Sequence, residues 1–163
     1  MRLLILSLAL MLLAACGGGE PPKVNVGLAA PAFSTQRADG TPVNFPGDLA
    51  GRPVVLRFWA DWCRYCEGEM KAIESVYGRL QPRGLVVLAM NAGQDKATVD
   101  AFMGKIGVSY PALLDGDSAI ARRYGVVGLP TTFFIDGQGT VRGKIVGEAD
   151  AATFEREAAA LLQ

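Results

Sequence analysis

The pattern of apolar and polar residues divides the chain into predicted strands and helices. Nearly continuous apolar runs at 54–60 and 85–91 are typical of central strands that are covered on both faces. Short β-like pieces surround Asp39-Gly40, a dipeptide that favours a hairpin turn. Two later runs, 131–135 and 140–146, are predicted strands joined across a short turn that contains glycine.

Four other segments repeat apolar residues at helical spacing. We expect the first helix to begin at Cys63 and to end before Pro82. Asp95, Asp117 and Asp150 are placed to accept hydrogen bonds at the starts of the other three helices. The predicted order of elements is β-β-β-α-β-α-α-β-β-α, which indicates an α/β domain.

The N-terminal residues have a different character from the rest of the chain. The apolar run at 3–13 is too short for a usual transmembrane helix and suits the core of a signal peptide. The run ends in Leu13-Ala14-Ala15-Cys16, which resembles a bacterial lipobox and implies cleavage before Cys16 and lipidation of that residue. We therefore expect a signal peptide at 1–15, a lipidated cysteine with a flexible tether at 16–25, and a folded domain at 26–163.

This N-terminus predicts an extracytoplasmic location on a bacterial membrane, facing the periplasm in a Gram-negative cell. Acyl chains on Cys16 would hold the protein on the membrane surface. The alternative is an ordinary secretory leader followed by an unmodified cysteine. In either case the folded domain would lie in a compartment where disulfides persist.

Composition excludes several classes of function. The chain has 16 basic and 16 acidic residues, and no basic cluster indicates a nucleic-acid partner. It has no histidine, which excludes a histidine base and any histidine metal ligand. The three cysteines do not supply the four ligands of a structural zinc site. We therefore expect neither a metal nor another cofactor.

The candidate chemistry is concentrated in Trp62-Cys63-Arg64-Tyr65-Cys66, at a predicted strand-to-helix junction. Two thiols separated by two residues can close into a disulfide and reopen. A cysteine at a helix start faces free backbone N–H groups, which favour the reactive thiolate. Cys63, the more exposed of the two, would attack a substrate disulfide, and Cys66 would resolve the mixed disulfide. A permanently closed structural disulfide is the alternative.

A second motif, Gly128-Leu129-Pro130-Thr131, precedes the predicted strand at 131–135. A proline at the entrance of a strand marks an edge or a special turn. Together the two motifs resemble the TlpA/ResA-like extracytoplasmic thiol–disulfide oxidoreductases of the thioredoxin superfamily over about residues 31–162. Other matching pieces are Pro31-Ala32-Phe33, Asp48-Leu49-Ala50-Gly51-Arg52-Pro53, Phe58-Trp59-Ala60-Asp61 and Tyr124-Gly125-Val126.

The resemblance implies a thioredoxin-like fold, in which a central mixed β-sheet is flanked by helices and carries an N-terminal β extension and a TlpA-type helical insertion. It also implies that Pro130 is cis beside the cysteines and that the backbone near Leu129 pairs with an extended substrate. Peroxiredoxins are related in fold, but their pattern places a threonine where this chain has Ala60.

Glu69 and Arg57 are the candidate residues that tune the cysteines. Glu69 shares a helix face with Cys66, and in the ResA-like subfamily a matching glutamate shapes the titration of the cysteines. A solvated helix carboxylate is the alternative. Arg57 departs from the family, which has an aspartate or asparagine there. We expect it to pair with Glu69 beneath the cysteines, which would favour the Cys63 thiolate and make the disulfide more oxidising. Alternatively, its charged head reaches water.

Inside the motif, Arg64 and Tyr65 replace a more usual residue and proline. We expect Trp62, Arg64, Tyr65 and Leu129 to contact the substrate. The predicted activity is reduction of protein disulfides, with apocytochrome c cysteines among the substrates, and a membrane-side thiol reductant or oxidant partner must restore the dithiol. The alternative is a non-catalytic lipoprotein that uses the fold as a binding module and keeps its disulfide closed.

Overall fold

The secondary structure follows the predicted order with one additional strand. The computed structural model describes residues 24–163, so the predicted signal peptide and Cys16 lie outside the described residues. The strands are β1 (Phe33–Gln36), β2 (Pro42–Phe45), β3 (Val54–Trp59), β4 (Val86–Ala92), β5 (Ala112–Asp115), β6 (Thr131–Ile135) and β7 (Val141–Val146). The helices are α1 (Cys66–Leu80), α2 (Lys96–Ile106), α3 (Ala119–Arg123) and α4 (Ala151–Ala160).

Five of these strands form one mixed sheet in the order β5-β4-β3-β6-β7. Strand β3 runs parallel to β4 and antiparallel to β6, so it lies at the centre of the sheet. All six of its residues are buried, as the continuous apolar run predicted. This central mixed sheet with flanking helices confirms the predicted architecture.

The hydrophobic core lies on both faces of the sheet. Successive side chains of a strand point to opposite faces. Val55 and Trp59 accordingly pack in a cluster with α1, α2 and α4. Leu56 and Phe58 pack in a second cluster with the β1–β2 hairpin and α3. By the same alternation Arg57 lies on the face that α1 covers.

Segments near the N-terminus cover both outer strands of the sheet. Arg37, just after β1, forms a bridge with Leu113 in β5, and the Thr35 hydroxyl donates to the Leu114 carbonyl. On the other side, Gly27 N–H donates to the Val141 carbonyl at 2.8 Å, and Ala29 bridges to Thr140. The hairpin and the segment at 27–30 therefore occupy the edges that β5 and the start of β7 would otherwise expose.

Two of the three predicted helix caps are confirmed. Asp95 and Asp150 accept hydrogen bonds from the N–H groups of Thr98 and Thr153 at the starts of α2 and α4. Asp117 also accepts a hydrogen bond at the start of α3, although the N-cap position itself is Ser118. The Asp117 carboxylate accepts from the N–H of Ala119, the first residue of α3, at 3.0 Å.

Two other predictions need correction. The first helix begins at Cys66 and not at Cys63, because residues 60–66 form two successive turns, with Cys63 N–H donating to Ala60 O and Cys66 N–H donating to Cys63 O. The strand β5 was not predicted; its residues are held by parallel pairing with β4. No helix within residues 24–163 combines the length and apolar character that a membrane span requires.

Candidate redox site

A disulfide joins Cys63 and Cys66 where β3 leads into α1. The S–S distance is 2.03 Å and the Cα atoms are 5.4 Å apart. Cys63 retains 6 % of its surface exposed, whereas Cys66 is fully buried. A second thiol or disulfide can therefore approach Cys63 and not Cys66, which is the order of exposure expected from the sequence.

The start of α1 gives the cysteines a positive electrostatic environment. Cys66 is the first residue of this 15-residue helix, and its position exposes it to unpaired N–H groups and to the positive end of the helix dipole. Both features stabilise a thiolate when the disulfide is open. Because α1 begins at Cys66, Cys63 lies just ahead of the first turn, and the effect acts on both sulfur atoms.

A buried ion pair joins β3 to α1, with Glu69 three residues after Cys66. Arg57 is 1 % exposed and Glu69 is 8 % exposed. The guanidinium Nη2 of Arg57 donates to Oε2 of Glu69 at 2.7 Å. The pairing expected from the sequence is therefore present, and the alternative in which the Arg57 head reaches water is excluded. Removing either partner would leave the other charge buried and uncompensated.

The ion pair belongs to a wider polar network. Nη1 of Arg57 donates to the Thr132 hydroxyl at 3.0 Å, and Thr132 lies opposite Arg57 in the β3–β6 ladder. The second oxygen of Glu69 accepts from the Ala149 N–H at 2.9 Å, just before α4. The network thus connects β3, α1, β6 and the loop before α4. Sequence reasoning missed Thr132 and Ala149, because neither has a local signal for these contacts.

The second motif lies beside the same core cluster. The Leu129–Pro130 peptide bond is cis, as the family resemblance implied. Leu129 packs against the cluster that contains both cysteines. Within residues 24–163 its backbone N–H and carbonyl make no hydrogen bond, whereas the Pro130 carbonyl accepts from Gly147 N–H at 2.8 Å. The backbone of Leu129 can therefore pair with an incoming segment.

Exposed apolar side chains flank the two motifs. Trp62 is 70 % exposed and Tyr65 is 44 % exposed, and the Arg64 guanidinium lies over the Tyr65 ring at 5.5 Å. The residues predicted to contact substrate are thus open to it. Val127, at 89 % exposed, was missed; the available signal was an apolar residue between Gly125 and Gly128 in the loop before Pro130.

A charged cluster next to the cysteines connects α1 with α2. Glu67, directly after Cys66, accepts from Lys105 at 2.6 Å and from Lys71 at 2.9 Å. Hydrogen bonds from Lys105 and then from Lys71 lower the pKa of Glu67 to about 2. No group of three or more potential metal ligands is found among residues 24–163.

Known proteins resemble the chain in sequence and in fold. Residues 26–144 match the model of the AhpC/TSA family. The thiol-disulfide oxidoreductase ResA of Geobacillus thermodenitrificans is 37 % identical over 128 residues, which cover 78 % of this chain and 73 % of that protein. ResA of Bacillus subtilis is 34 % identical over 124 residues, 76 % of this chain and 69 % of the relative.

Among solved structures, a Chlorobium tepidum protein described as a thiol:disulfide interchange protein DsbE superimposes with a TM-score of 0.81. The two chains are 28 % identical, and the match covers 86 % of this chain and all of the other. A second thiol:disulfide interchange protein from Chlorobium tepidum gives a TM-score of 0.75 at the same identity, over 85 % of this chain and 99 % of that one.

Proposed function

The chain belongs to the AhpC/TSA family of the thioredoxin superfamily and is a thiol-disulfide oxidoreductase related to ResA, and from this premise we propose that it reduces protein disulfides outside the cytoplasm. Cys63 is the attacking residue in this proposal and Cys66 the resolving one. The observation that carries it is the disulfide at the start of α1 with only Cys63 open to solvent.

The proposed reaction has two exchange steps. The Cys63 thiolate attacks one sulfur of the substrate disulfide, so that a Cys63–substrate bond forms and the other substrate sulfur leaves as a thiolate, which takes up a proton. The Cys66 thiolate then attacks the Cys63 sulfur. The Cys63–Cys66 disulfide forms, the second substrate thiol is released, and two electrons have passed to the substrate. A membrane-side dithiol partner must then reduce the pair again.

The length of the disulfide loop argues against a structural staple. Cys63 and Cys66 are three positions apart, and closing so short a loop stabilises a fold by about 2 kcal/mol in the chain-entropy model, against about 4.7 kcal/mol for a loop of about 100 residues. A non-catalytic binding module would therefore gain little stability from this disulfide. An exchangeable pair, by contrast, needs its two sulfur atoms this close.

Arg57 and Glu69 have tuning roles in the proposal. A glutamate beside the cysteines disfavours a second negative charge on sulfur. The Arg57 guanidinium at 2.7 Å compensates that charge, so the thiolate forms more readily than it would next to Glu69 alone. Arg57 thus acts through Glu69, and its effect depends on the carboxylate being present.

The site accepts an extended substrate segment. The unpaired backbone of Leu129 provides strand-like hydrogen bonds next to Pro130 and Cys63. Trp62 and Tyr65 supply exposed aromatic surface, and Arg64 supplies a positive charge. Unfolded cysteine-containing chains fit this geometry, because their backbones are free to pair. Apocytochrome c is our candidate substrate for this reason.

Membrane attachment through Cys16 completes the proposal. Val24 is buried in the core, and Lys144 Nζ donates to its carbonyl at 3.2 Å. Eight peptide units separate Cys16 from Val24, and a tether of that length reaches at most about 28 Å. Lipidation at Cys16 would therefore keep the redox site close to the membrane. Replacing Cys16 with alanine should release the protein from the membrane fraction.

Trapping of mixed disulfides tests the catalytic proposal. A Cys66→Ser variant should accumulate covalent complexes with cysteine-containing proteins in its native compartment, because the resolving step is blocked. The matched control is Cys63→Ser, which retains one cysteine of the pair but lacks the attacking one. Complexes that form equally with both variants, or with neither, would contradict the proposal, as would failure of the wild-type protein to reduce insulin.

A further inference from the structure

The side chain of Gln94 joins the end of β4 to the turn that carries Cys63. Gly93, with a φ of 86°, reverses the chain after β4. Gln94 then lies beside the turn at 60–63, where its Oε1 accepts from the Asp61 N–H at 2.9 Å. Its Nε2 donates to the Asp61 carboxylate at 2.5 Å. We call this arrangement, together with Asn91, the Gln94 clasp.

Asn91 anchors the clasp to the sheet. It is fully buried in β4, where it lies opposite Trp59 in the parallel ladder. Its Nδ2 donates to Oε1 of Gln94 at 2.8 Å, and its Oδ1 accepts from the Gln94 N–H at 3.2 Å. The Gln94 side chain is therefore held at its base as well as at its tip.

The position of Cys63 depends on the segment that the clasp holds. Asp61 is two residues before Cys63, and the Cys63 N–H donates to Ala60 O at 3.2 Å. Asp61 thus lies inside one tight turn with Cys63 at its end. In the disulfide form this turn is also fixed through the bond to Cys66. In the dithiol form no S–S bond links the side chain of Cys63 to α1.

We infer that Gln94 is a positioning residue that keeps the Cys63 turn beside Cys66 and thereby stabilises the disulfide. Two compatible restraints on one turn support each other, because the first reduces the conformational freedom that the second must restrict. The inference rests on the proposed function only in so far as the pair cycles between its two redox states. It concerns the equilibrium between them and not the identity of the substrate.

The direction of the effect follows from the same reasoning. If the clasp is lost in the disulfide form, its hydrogen bonds disappear while the turn remains fixed by the S–S bond. In the dithiol form, the same loss is partly offset by the freedom that the turn gains. Losing the clasp therefore destabilises the disulfide form more than the dithiol form. The disulfide becomes easier to reduce.

The test is a glutathione redox titration of the full chain. The equilibrium is disulfide protein plus two glutathione thiols against dithiol protein plus glutathione disulfide, so that atoms and electrons balance. We expect Gln94→Ala to shift the equilibrium constant about tenfold towards the dithiol, which corresponds to a rise of about 30 mV in the reduction potential. Gln94→Glu should also displace the equilibrium constant from that of the wild type, because the new carboxylate faces that of Asp61.

A charge exchange supplies the rescue. In Gln94→Glu combined with Asp61→Asn, the amide and the carboxylate trade places, so one donor again meets one acceptor. The Asp61→Asn variant alone retains an oxygen that accepts from Gln94 Nε2. The double variant should therefore return to within about twofold of the wild-type equilibrium constant, and Asp61→Asn alone should remain within the same range. Gln94→Glu alone should lie outside it.

A merely structural role would give a different result. It would lower the urea midpoints of the disulfide and dithiol forms equally and leave the potential unchanged. A wild-type potential in correctly folded Gln94→Ala would overturn the inference, and so would a double variant displaced as far as Gln94→Glu alone. Because the titration needs no protein substrate, a failure of the trapping experiment above leaves this result interpretable.

Discussion

Replacing Arg57 with asparagine should slow the reaction of the Cys63 thiol. The change removes the guanidinium that lies 2.7 Å from Glu69 and leaves the carboxylate unopposed near the cysteines. Cys66 and Glu69 are three residues apart on α1, a spacing that brings side chains within about 6 Å. A disulfide joins the sulfur of Cys63 to that of Cys66, so the Glu69 charge acts on a thiolate at either cysteine.

The size of this effect follows from Coulomb's law. A unit charge at about 6 to 8 Å, with an effective dielectric constant of about 20, raises the free energy of the thiolate by about 2 to 3 kcal/mol. The fraction of thiolate at a pH below its titration then falls about 30- to 100-fold. A more basic thiolate is a better nucleophile, which recovers roughly half of that loss on a logarithmic scale. We therefore expect alkylation about tenfold slower.

The assay is alkylation of the reduced protein with iodoacetamide at pH 7, followed by mass spectrometry of the Cys63 peptide. Arg57→Asn combined with Glu69→Gln removes both charges and should return the rate to within about threefold of wild type. Arg57→Lys retains the charge and serves as the control for folding. An Arg57→Asn protein that is folded and reacts within twofold of the wild-type rate would refute the reasoning.

Three further predictions concern stability. The pKa of Glu67 lies at about 2 because Lys105 and Lys71 donate hydrogen bonds to its carboxylate. The stabilisation of the fold by this carboxylate should therefore be present above about pH 4.5 and be lost as the pH falls towards 2. The urea midpoints of wild type and Glu67→Gln should differ at pH 7 and converge at pH 2, and a difference that does not change with pH would contradict this. Tyr110→Phe removes the hydrogen bond to Met70 O at 2.7 Å and should cost about 1 kcal/mol in urea unfolding, whereas an unchanged midpoint would show that this bond contributes nothing. Phe154→Ala removes the ring that packs against Phe134, whose centroid is 5.5 Å away, and leaves a cavity. The free energy of unfolding should fall by about 3–5 kcal/mol in the same measurement. A decrease of less than 1 kcal/mol would mean that the packing of α4 does not depend on this contact.

Local patterns in the sequence were sufficient for much of the fold. Strand β3 was predictable because a strand buried on both faces needs a continuous apolar run. The helix starts at Asp95 and Asp150 were predictable because a capping carboxylate acts within three residues of itself. The same strand periodicity left Arg57 conspicuous as the charged residue in an apolar run, and the helical spacing of Glu69 gave it a partner.

The features that were missed depend on residues far apart in the sequence. Strand β5 has four residues, too few for a periodic signal, and is held by its pairing with β4. The contact between Glu69 and Ala149 spans 80 positions, and that between Asp61 and Gln94 spans 33. Glutamine and asparagine side chains bond in many contexts, so nothing in the local sequence marks Gln94 as a partner of the redox turn.

The covered sheet edges have a consequence for the proposed function, in which the protein meets unfolded chains. An exposed edge strand is a template on which any extended segment can add, including one from a misfolded neighbour. Here the hairpin borders β5 through Arg37 and Leu113, and the Ala29 bridge shields the start of β7. An extended chain therefore cannot add to the sheet at these two positions, and under the proposed function it pairs with the backbone of Leu129, which packs against the cluster that contains both cysteines. Covering these edges would thus limit aggregation and, under the proposed function, unproductive binding of substrate chains at the same two positions.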